Sequence, residues 1–314
     1  MVDFARMLRS RRDASRAQSP EAPEELFGTE FEKKLEMLAL VSRRVFAGRW
    51  RAERPSKRRG SGVQFAEHRE YIPGDDVRFI DHNAYQRLGR LLLKQYEEEE
   101  DLSVYFLIDC SESMAHGDRR KFDHARRICA ALAFVALSHL DRVTVAAISN
   151  SVVSRLPAAR GKPQVFRILR FLRGLTPGGS TALAPALRAF SASSPRRGVA
   201  LLLSDLYDPG GFQRGIDVLR YERFEPYVIH LVDPNDALAP GVGDLTLIDS
   251  ETRQACDVTV TGALARRLGQ AHAEYLASIE SYCVQHRVPY LCADVRVPFD
   301  DLVLRAFRQG GLLR

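Results

Sequence analysis

Hydrophobic and polar positions along this chain alternate between two periods, and the order in which they do so predicts the architecture. Val104 to Ile108 (V-Y-F-L-I) is apolar throughout, without polar alternation, as expected of a strand buried on both faces of a sheet. The same character returns at Val143 to Ile148, at Gly198 to Asp205, where the run ends in a carboxylate, at Pro226 to Asp233 and at Pro289 to Val295. Between these runs lie segments of helical spacing: Lys121 to Leu140, Pro163 to Leu172, Ala182 to Ala192, Gly211 to Arg220, Gly262 to His286 and Phe299 to Phe307. Val152 to Leu156 follows its neighbour after a few residues and predicts an antiparallel partner at a sheet edge, and Leu245 to Val260 predicts a hairpin around Ser250, Glu251 and Thr252. Strands alternating with helices imply an α/β fold, a doubly wound and mostly parallel sheet covered on both faces.

The N-terminal third reads differently. Residues 1–22 mix Arg, Ser, Ala and Pro, a composition expected to stay disordered. A helix is expected from Pro23 to Ala47, with Leu35, Leu38, Val41, Val45 and Phe46 at helical spacing. The basic stretch from Arg49 to Gly62 reads as a solvated linker, since no aromatic interleaving beyond Trp50 suggests base stacking, and no nucleic-acid partner is expected. From Gly62 to Lys94 charge is dense around the turn Pro73-Gly74-Asp75-Asp76. Arg69, Arg78 and Arg87 are expected to satisfy Glu70, Asp75, Asp76 and Asp81; an acid/base set of Asp76, Asp81 and His82 is the less favoured reading. The expected division is therefore a disordered 1–22, a helical and charged subdomain at 23–101, and the α/β domain at 102–314.

Composition narrows this modestly. Of 314 residues, 45% are apolar, enough for a packed core, and the net charge of +6 is weak. The five cysteines lack C-x-x-C spacing and read as reduced core thiols. No apolar run is long enough to cross a bilayer and no signal-peptide pattern follows the basic N-terminus, so a cytoplasmic protein is expected.

The candidate chemistry sits where strands end. Asp109, Ser111 and Ser113 follow the first buried strand at every second position and can turn a carboxylate and two hydroxyls toward one point, hard-oxygen ligation suited to Mg²⁺. Taken alone, that run is better read as a turn that caps the next helix. Thr181, after Gly178-Gly179, adds a hydroxyl, or else caps the next helix. Asp205 closes the third strand as Asp109 closes the first. In open α/β sheets ligands bind beyond the carboxyl ends of the strands, and all five residues fall there.

D-C-S-E-S, G-G-S-T and L-S-D together resemble the metal-ion-dependent adhesion site of von Willebrand factor A domains. The block R-E-Y-I-P-G-D-D-V-R-F-I-D with Arg87 resembles the hallmark of the family catalogued as domain of unknown function fifty-eight, whose members carry such an A-like domain. That family usually has Trp and Ala where this chain has His82 and Gln86. The resemblance spans about Gly60 to the C-terminus and implies a Rossmann-like, von Willebrand factor A-like fold. It further implies Mg²⁺ or Mn²⁺ on Asp109, Ser111 and Ser113, with Thr181 and Asp205 acting directly or through water, and an open position for a Glu or Asp of a protein partner. Many relatives also carry N-terminal membrane helices, and no matching run stands in this chain. Family members are commonly linked to MoxR-type AAA+ ATPases, which implies an adaptor in protein assembly or stress response. The alternative is a metal-dependent phosphohydrolase with Asp109 as nucleophile; Ser111 in place of a second acid, and no Lys at an obvious spacing, stand against it.

Overall fold

The computed structural model describes residues 25–46, 59–60, 64–73, 75–97, 102–115, 120–237, 243–249, 251 and 254–308. The segment expected to be disordered, 1–22, and most of the basic linker lie outside the described residues. The chain divides into two compact units, 1–43 with 102–313 and 44–101 with Arg314.

The first described helix, α1 (Thr29–Phe46), falls in the large unit up to Arg43, whereas the sequence led us to expect all of it in the charged subdomain. Its apolar stripe is the cause. Phe31, Leu35 and Leu38 are buried together with Leu26 and Phe27 just before it. Phe31 packs on Phe299 with ring centroids 4.9 Å apart, while Lys34 reaches Asp300 at 3.4 Å.

The small unit contains β1 (Arg59–Gly60), β2 (Gln64–Glu70), the short helix α2 (His82–Leu88) and β3 (Leu92–Glu97), its three strands antiparallel in the order β1-β3-β2. Its charges pair as expected in kind: Arg69 with Asp75 at 2.6 Å and Arg78 with Asp76 at 2.7 Å. Asp81 caps α2 through the amides of Asn83 and Ala84 and also meets His68 at 2.9 Å. Asp76 likewise accepts the Arg78 amide ahead of a short 3-10 turn. Both carboxylates are thus committed to holding the backbone rather than to an acid/base set.

The large unit is built on β4 (Ser103–Asp109), β5 (Arg142–Ile148), β6 (Val152–Ala159), β7 (Val199–Ser204) and β8 (Glu225–Val232). A separate hairpin, β9 (Gly243–Ile248) with β10 (Ala255–Val260), follows, and β11 (Tyr290–Asp294) completes the main sheet. The order is β11-β8-β7-β4-β5-β6, parallel except for β6, which pairs antiparallel at the edge. From the central β4 the chain steps outward to β5, then crosses back to β7 on the other side. The order therefore reverses at β4 and β7, where loops diverge and leave a crevice.

The helices are α3 (Arg120–Ser138), α4 (Val165–Gly174), α5 (Leu183–Ala192), α6 (Phe212–Tyr221), α7 (Gly262–Gln285) and α8 (Phe299–Arg308). Every residue of β4 is buried, which is the double burial its unbroken apolar run predicts. Tyr105 and Leu107 point into one core with Leu187 and Phe190 of α5, Phe212 and Ile216 of α6 and Ile279 of α7. Helix α3 is buried along most of its length from Lys121 to Leu137, as its composition predicts. All five cysteines are free; Cys110, Cys129 and Cys283 are core thiols, whereas Cys256 and Cys292 are exposed because they sit on the hairpin and the edge strand.

Gly198, just ahead of β7, lies against the Ser103 backbone so closely that a Cβ would run into the Ser103 carbonyl oxygen. Neither partner can give way without moving a central strand. Gly198→Ala is expected to destabilise the protein by about 1–3 kcal/mol or more, read as a lowered midpoint in urea unfolding; an unchanged midpoint would show that β4 and β7 are not in this register.

Candidate functional site

The site begins with the register of the two central strands. Ile108 pairs with Leu203, so at the carboxyl ends of β4 and β7 Asp109 comes level with Ser204, and Asp205 follows one residue beyond. Ser204, the last residue of β7, donates its hydroxyl to Asp109 Oδ2 at 2.6 Å and accepts the Leu206 amide at 2.9 Å. Leu206 is buried with a positive φ of 61°, an uncommon conformation for a branched residue. It is held by the Ser204 hydroxyl, by Asp208 N–H donating to its carbonyl at 2.7 Å and by the Tyr275 hydroxyl at 2.6 Å. That strained turn aims Asp205 back toward β4.

The loop after β4 folds over its own carboxylate. Asp109 Oδ1 accepts the Ser111 amide at 2.9 Å. Ser113 donates to Asp205 Oδ1 at 3.3 Å, and the Ser111 and Ser113 oxygens lie 2.9 Å apart; with the Ser113 proton spent on Asp205, Ser111 is the donor of that pair. The chain Asp109–Ser111–Ser113–Asp205 is therefore continuous, and all four residues are buried. The hydroxyls face each other and Asp205 instead of capping a helix.

Thr181 is placed beside this chain by backbone lacing. Gly178 N–H donates to the Cys110 carbonyl at 2.7 Å, Glu112 N–H to the Gly179 carbonyl at 3.0 Å, and Ala182 N–H to the Ser149 carbonyl at 3.2 Å. Gly179 holds φ at +85°, a conformation open to glycine, so this close pass depends on it. The N-cap of α5 is Ala182, without a side-chain cap bond, so Thr181 does not cap the helix. Its hydroxyl is turned to Glu251 instead, donating to Oε1 at 2.7 Å, with the Thr181 amide on Oε2 at 2.9 Å. The structure thus joins Asp109, Ser111, Ser113 and Asp205 directly, and brings Thr181 alongside with its hydroxyl pointed at a residue the sequence did not single out.

Further participants escape sequence reasoning. Lys121, in the first turn of α3, puts its ammonium 2.8 Å from Asp205 Oδ2 and 3.0 Å from Asp236 Oδ2, fully buried, and 5.2 Å from the centre of the Tyr207 ring. No lysine stands at an obvious spacing from the aspartates in the chain; the separation of Lys121 from Asp205 is bridged by the sheet. A signal did exist, since a cation in the first turn of a helix opposes the helix dipole and needs a compensating acid. Burial alone would push the Lys121 ammonium toward neutrality, yet the two carboxylates outweigh it and raise its pKa. His230 is also buried, its pKa pushed down to about 4 by burial against the pull of Asp205, and its Nδ1 lies 3.0 Å from the Tyr290 hydroxyl.

The electrostatics favour a hard cation. Asp109 is pushed up to about 7, first by burial and then by the charge of Asp205, against hydrogen bonds from Ser204 and Ser111. Three carboxylates (Asp109, Asp205, Asp236) and one ammonium (Lys121) leave two net negative charges when all are ionised, which one divalent ion balances. Among the described residues no group of three or more His, Cys, Asp or Glu converges as a metal cage. A cation here would take part of its shell from the serine and threonine hydroxyls and from water, the habit of Mg²⁺. The residues present therefore fit the ion that the motif implies.

The sequence model of the family described as "Protein of unknown function DUF58" matches residues 67–275. The chain is 28% identical over 225 residues to the uncharacterized protein Mb1516 of Mycobacterium bovis, covering 70% of this chain and 71% of that protein. It is 30% identical over 131 residues to the uncharacterized protein MAV169 of Mycobacterium avium, covering 40% of this chain and 76% of that one. Among solved structures, the conserved hypothetical protein BatB from Bacteroides thetaiotaomicron aligns over 66% of this chain and 99% of its own at 13% identity, with a TM-score of 0.39. Among the described residues, no helix is long and apolar enough to cross a membrane.

Two outcomes follow from the charges. Lys121→Met leaves Asp205 and Asp236 buried without their cation and is expected to cost about 3–5 kcal/mol, measured by urea unfolding; a loss under 1 kcal/mol would mean the ammonium is dispensable. For Asp109, a folded-state pKa above the unfolded value of 3.8 means that its contribution to stability is full below pH 3.8 and is lost as pH rises through about 7. In chelator, the melting temperature of Asp109→Asn minus that of wild type should grow from pH 4 to pH 7 and then level off. A difference that stays flat across that range would refute the raised pKa.

Proposed function

The chain belongs to the DUF58 family, and from that membership and the oxygen cluster at the sheet's switch point we propose that it is a non-enzymatic, metal-dependent protein-interaction module with a von Willebrand factor A-like site. Mg²⁺ or Mn²⁺ is its ion, held by Asp109, Ser111, Ser113, Thr181 and Asp205. Its partner supplies a Glu or Asp to the open face. The family resemblance makes a MoxR-type AAA+ ATPase the favoured associate, with the protein acting as a cytoplasmic adaptor in protein assembly or stress response.

The single observation that supports this reading is the continuous hydrogen-bonded chain from Asp109 through Ser111 and Ser113 to Asp205, which links two strand ends far apart in sequence. Capping alone would not bring these groups together. Asp205 is also neutralised by Lys121 on its Oδ2, while Ser113 meets Oδ1. A divalent ion here balances the two net negative charges of the site and, with neutral hydroxyls completing its shell, stays electrophilic toward an acid from outside.

One observation favours a second reading, a metal-dependent phosphohydrolase. Lys121 brings a buried ammonium to Asp205, a fixed cation of the kind that can steady the charge of a transferring phosphoryl group. Against it, both Asp109 oxygens accept hydrogen bonds and the residue is buried, which suits a ligand better than an exposed nucleophile.

Affinity capture of wild type and Asp109→Ala, each with Mg²⁺ and with excess chelator, separates the readings. The expected result is a partner, including an AAA+ ATPase, recovered with wild type in Mg²⁺ and lost from the variant and in chelator. Recovery of the same partners in chelator would refute the adhesion reading. Turnover of p-nitrophenyl phosphate by wild type that disappears in Asp109→Asn would establish the hydrolase instead.

A further inference from the structure

Glu251 is unexpected at this place. It arrives from the β9–β10 hairpin, a two-stranded sheet of its own inserted between β8 and α7. The hairpin end is pinned: Asp249 N–H donates to the Gln254 carbonyl at 2.9 Å, and Asp249 Oδ1 accepts the Glu251 amide at 2.8 Å. The side chain then reaches across to Thr181 and uses both carboxylate oxygens there, one on the amide and one on the hydroxyl. Thr181 and Asp249 are buried, and Glu251 is half-buried.

Two physical points make this more than a hairpin anchor. The first is charge. A hairpin with no other duty would be held to Thr181 as well by a neutral amide side chain, whereas here a carboxylate is set on Thr181, one of the residues assigned to the ion. A carboxylate at that place suits a cation, to which it is a better ligand than a neutral amide. The second is valence. A hydroxyl has one proton and two lone pairs, so Thr181 can donate to Glu251 while its oxygen still faces a cation. Holding the glutamate and holding an ion are compatible at the same residue.

We propose that Glu251 is the site's internal acid: it stands in the position that a partner's carboxylate takes, and a partner binds by displacing it. The inference rests on the metal-dependent reading above. It specifies that recognition is a competition between an outside acid and the chain's own hairpin, so that apparent affinity for the outside acid is reduced by the fraction of molecules in which Glu251 is seated. Partners that win must offer more than one carboxylate, because the internal competitor is always at high effective concentration.

The test uses Mn²⁺ as the ion and acetate as the outside acid, with water-proton relaxation reporting exchangeable water on the bound ion. Full-length wild type, Glu251→Ala, Glu251→Gln and Asp109→Ala are compared. Wild type and both Glu251 variants are expected to bind Mn²⁺, and Asp109→Ala is expected not to. In Glu251→Ala the relaxivity of bound Mn²⁺ should rise and acetate should reverse the rise, with an apparent acetate affinity about tenfold or more tighter than in wild type. Glu251→Gln, which keeps a hydrogen-bonding group for Thr181, should follow the Ala variant, because the charge and not the hairpin's bulk is what competes. Equal relaxivity and equal acetate response in wild type and Glu251→Ala would overturn the internal acid while leaving the metal site standing. Loss of Mn²⁺ from Glu251→Ala would also overturn it, making Glu251 an obligatory ligand. Absence of Mn²⁺ binding in wild type itself would remove the metal reading and this inference together.

Discussion

The constraint on which this structure turns is the burial of two carboxylates at the ends of adjacent parallel strands. Asp109 and Asp205 sit away from solvent in the middle of a six-stranded sheet, where an unpaired charge is costly. The surrounding residues answer that cost in two ways. Hydroxyls and amides from Ser111, Ser113 and Ser204 donate to the oxygens, and Lys121 brings a cation from the start of α3. Asp109 remains raised even so, the mark of a group whose negative charge has not been fully met by the protein.

This constraint explains several features that look unrelated. Lys121 lies at the wrong end of a helix for a cation, and is tolerated because Asp205 and Asp236 hold it. Leu206 adopts a left-handed conformation, and its carbonyl and amide are both engaged so that the turn points Asp205 inward. The loop carrying Thr181 passes close through Gly178 and Gly179 and is laced to the residues just after β4. Each is a local departure from the easiest backbone or side-chain choice, and all of them surround the same few oxygens, where such departures are expected of a functional site.

The hairpin of β9 and β10 adds a layer that the sheet does not require. The six main strands and their helices close without it, and its own pairing is a small independent sheet. What it contributes to the site is one carboxylate, delivered to Thr181 from the far side of the chain.

Much of the architecture was legible in the chain because periodicity reports burial directly. The apolar run at Val104 to Ile108 announced a strand buried on both faces, and Val152 onward announced the antiparallel edge. Asp109, Ser111 and Ser113 were legible as a set because their alternate spacing lies within one loop, and Asp205 because it ends a strand as Asp109 does. The boundary of the units was not legible: the pattern of Leu35 and Leu38 shows that α1 buries a face, but not which partner covers it, and Phe299 lies far along the chain. Nor could spacing announce Lys121, Asp236 or Glu251, whose partners are remote in sequence and adjacent only once β4 and β7 are paired and the hairpin has folded back. The sequence by itself determined the elements and the loop-borne oxygens, since these depend on neighbours within a turn or a strand. Tertiary structure alone decided which charges meet, because a buried ion pair is selected by the geometry of the assembled sheet and leaves no periodic trace in the chain.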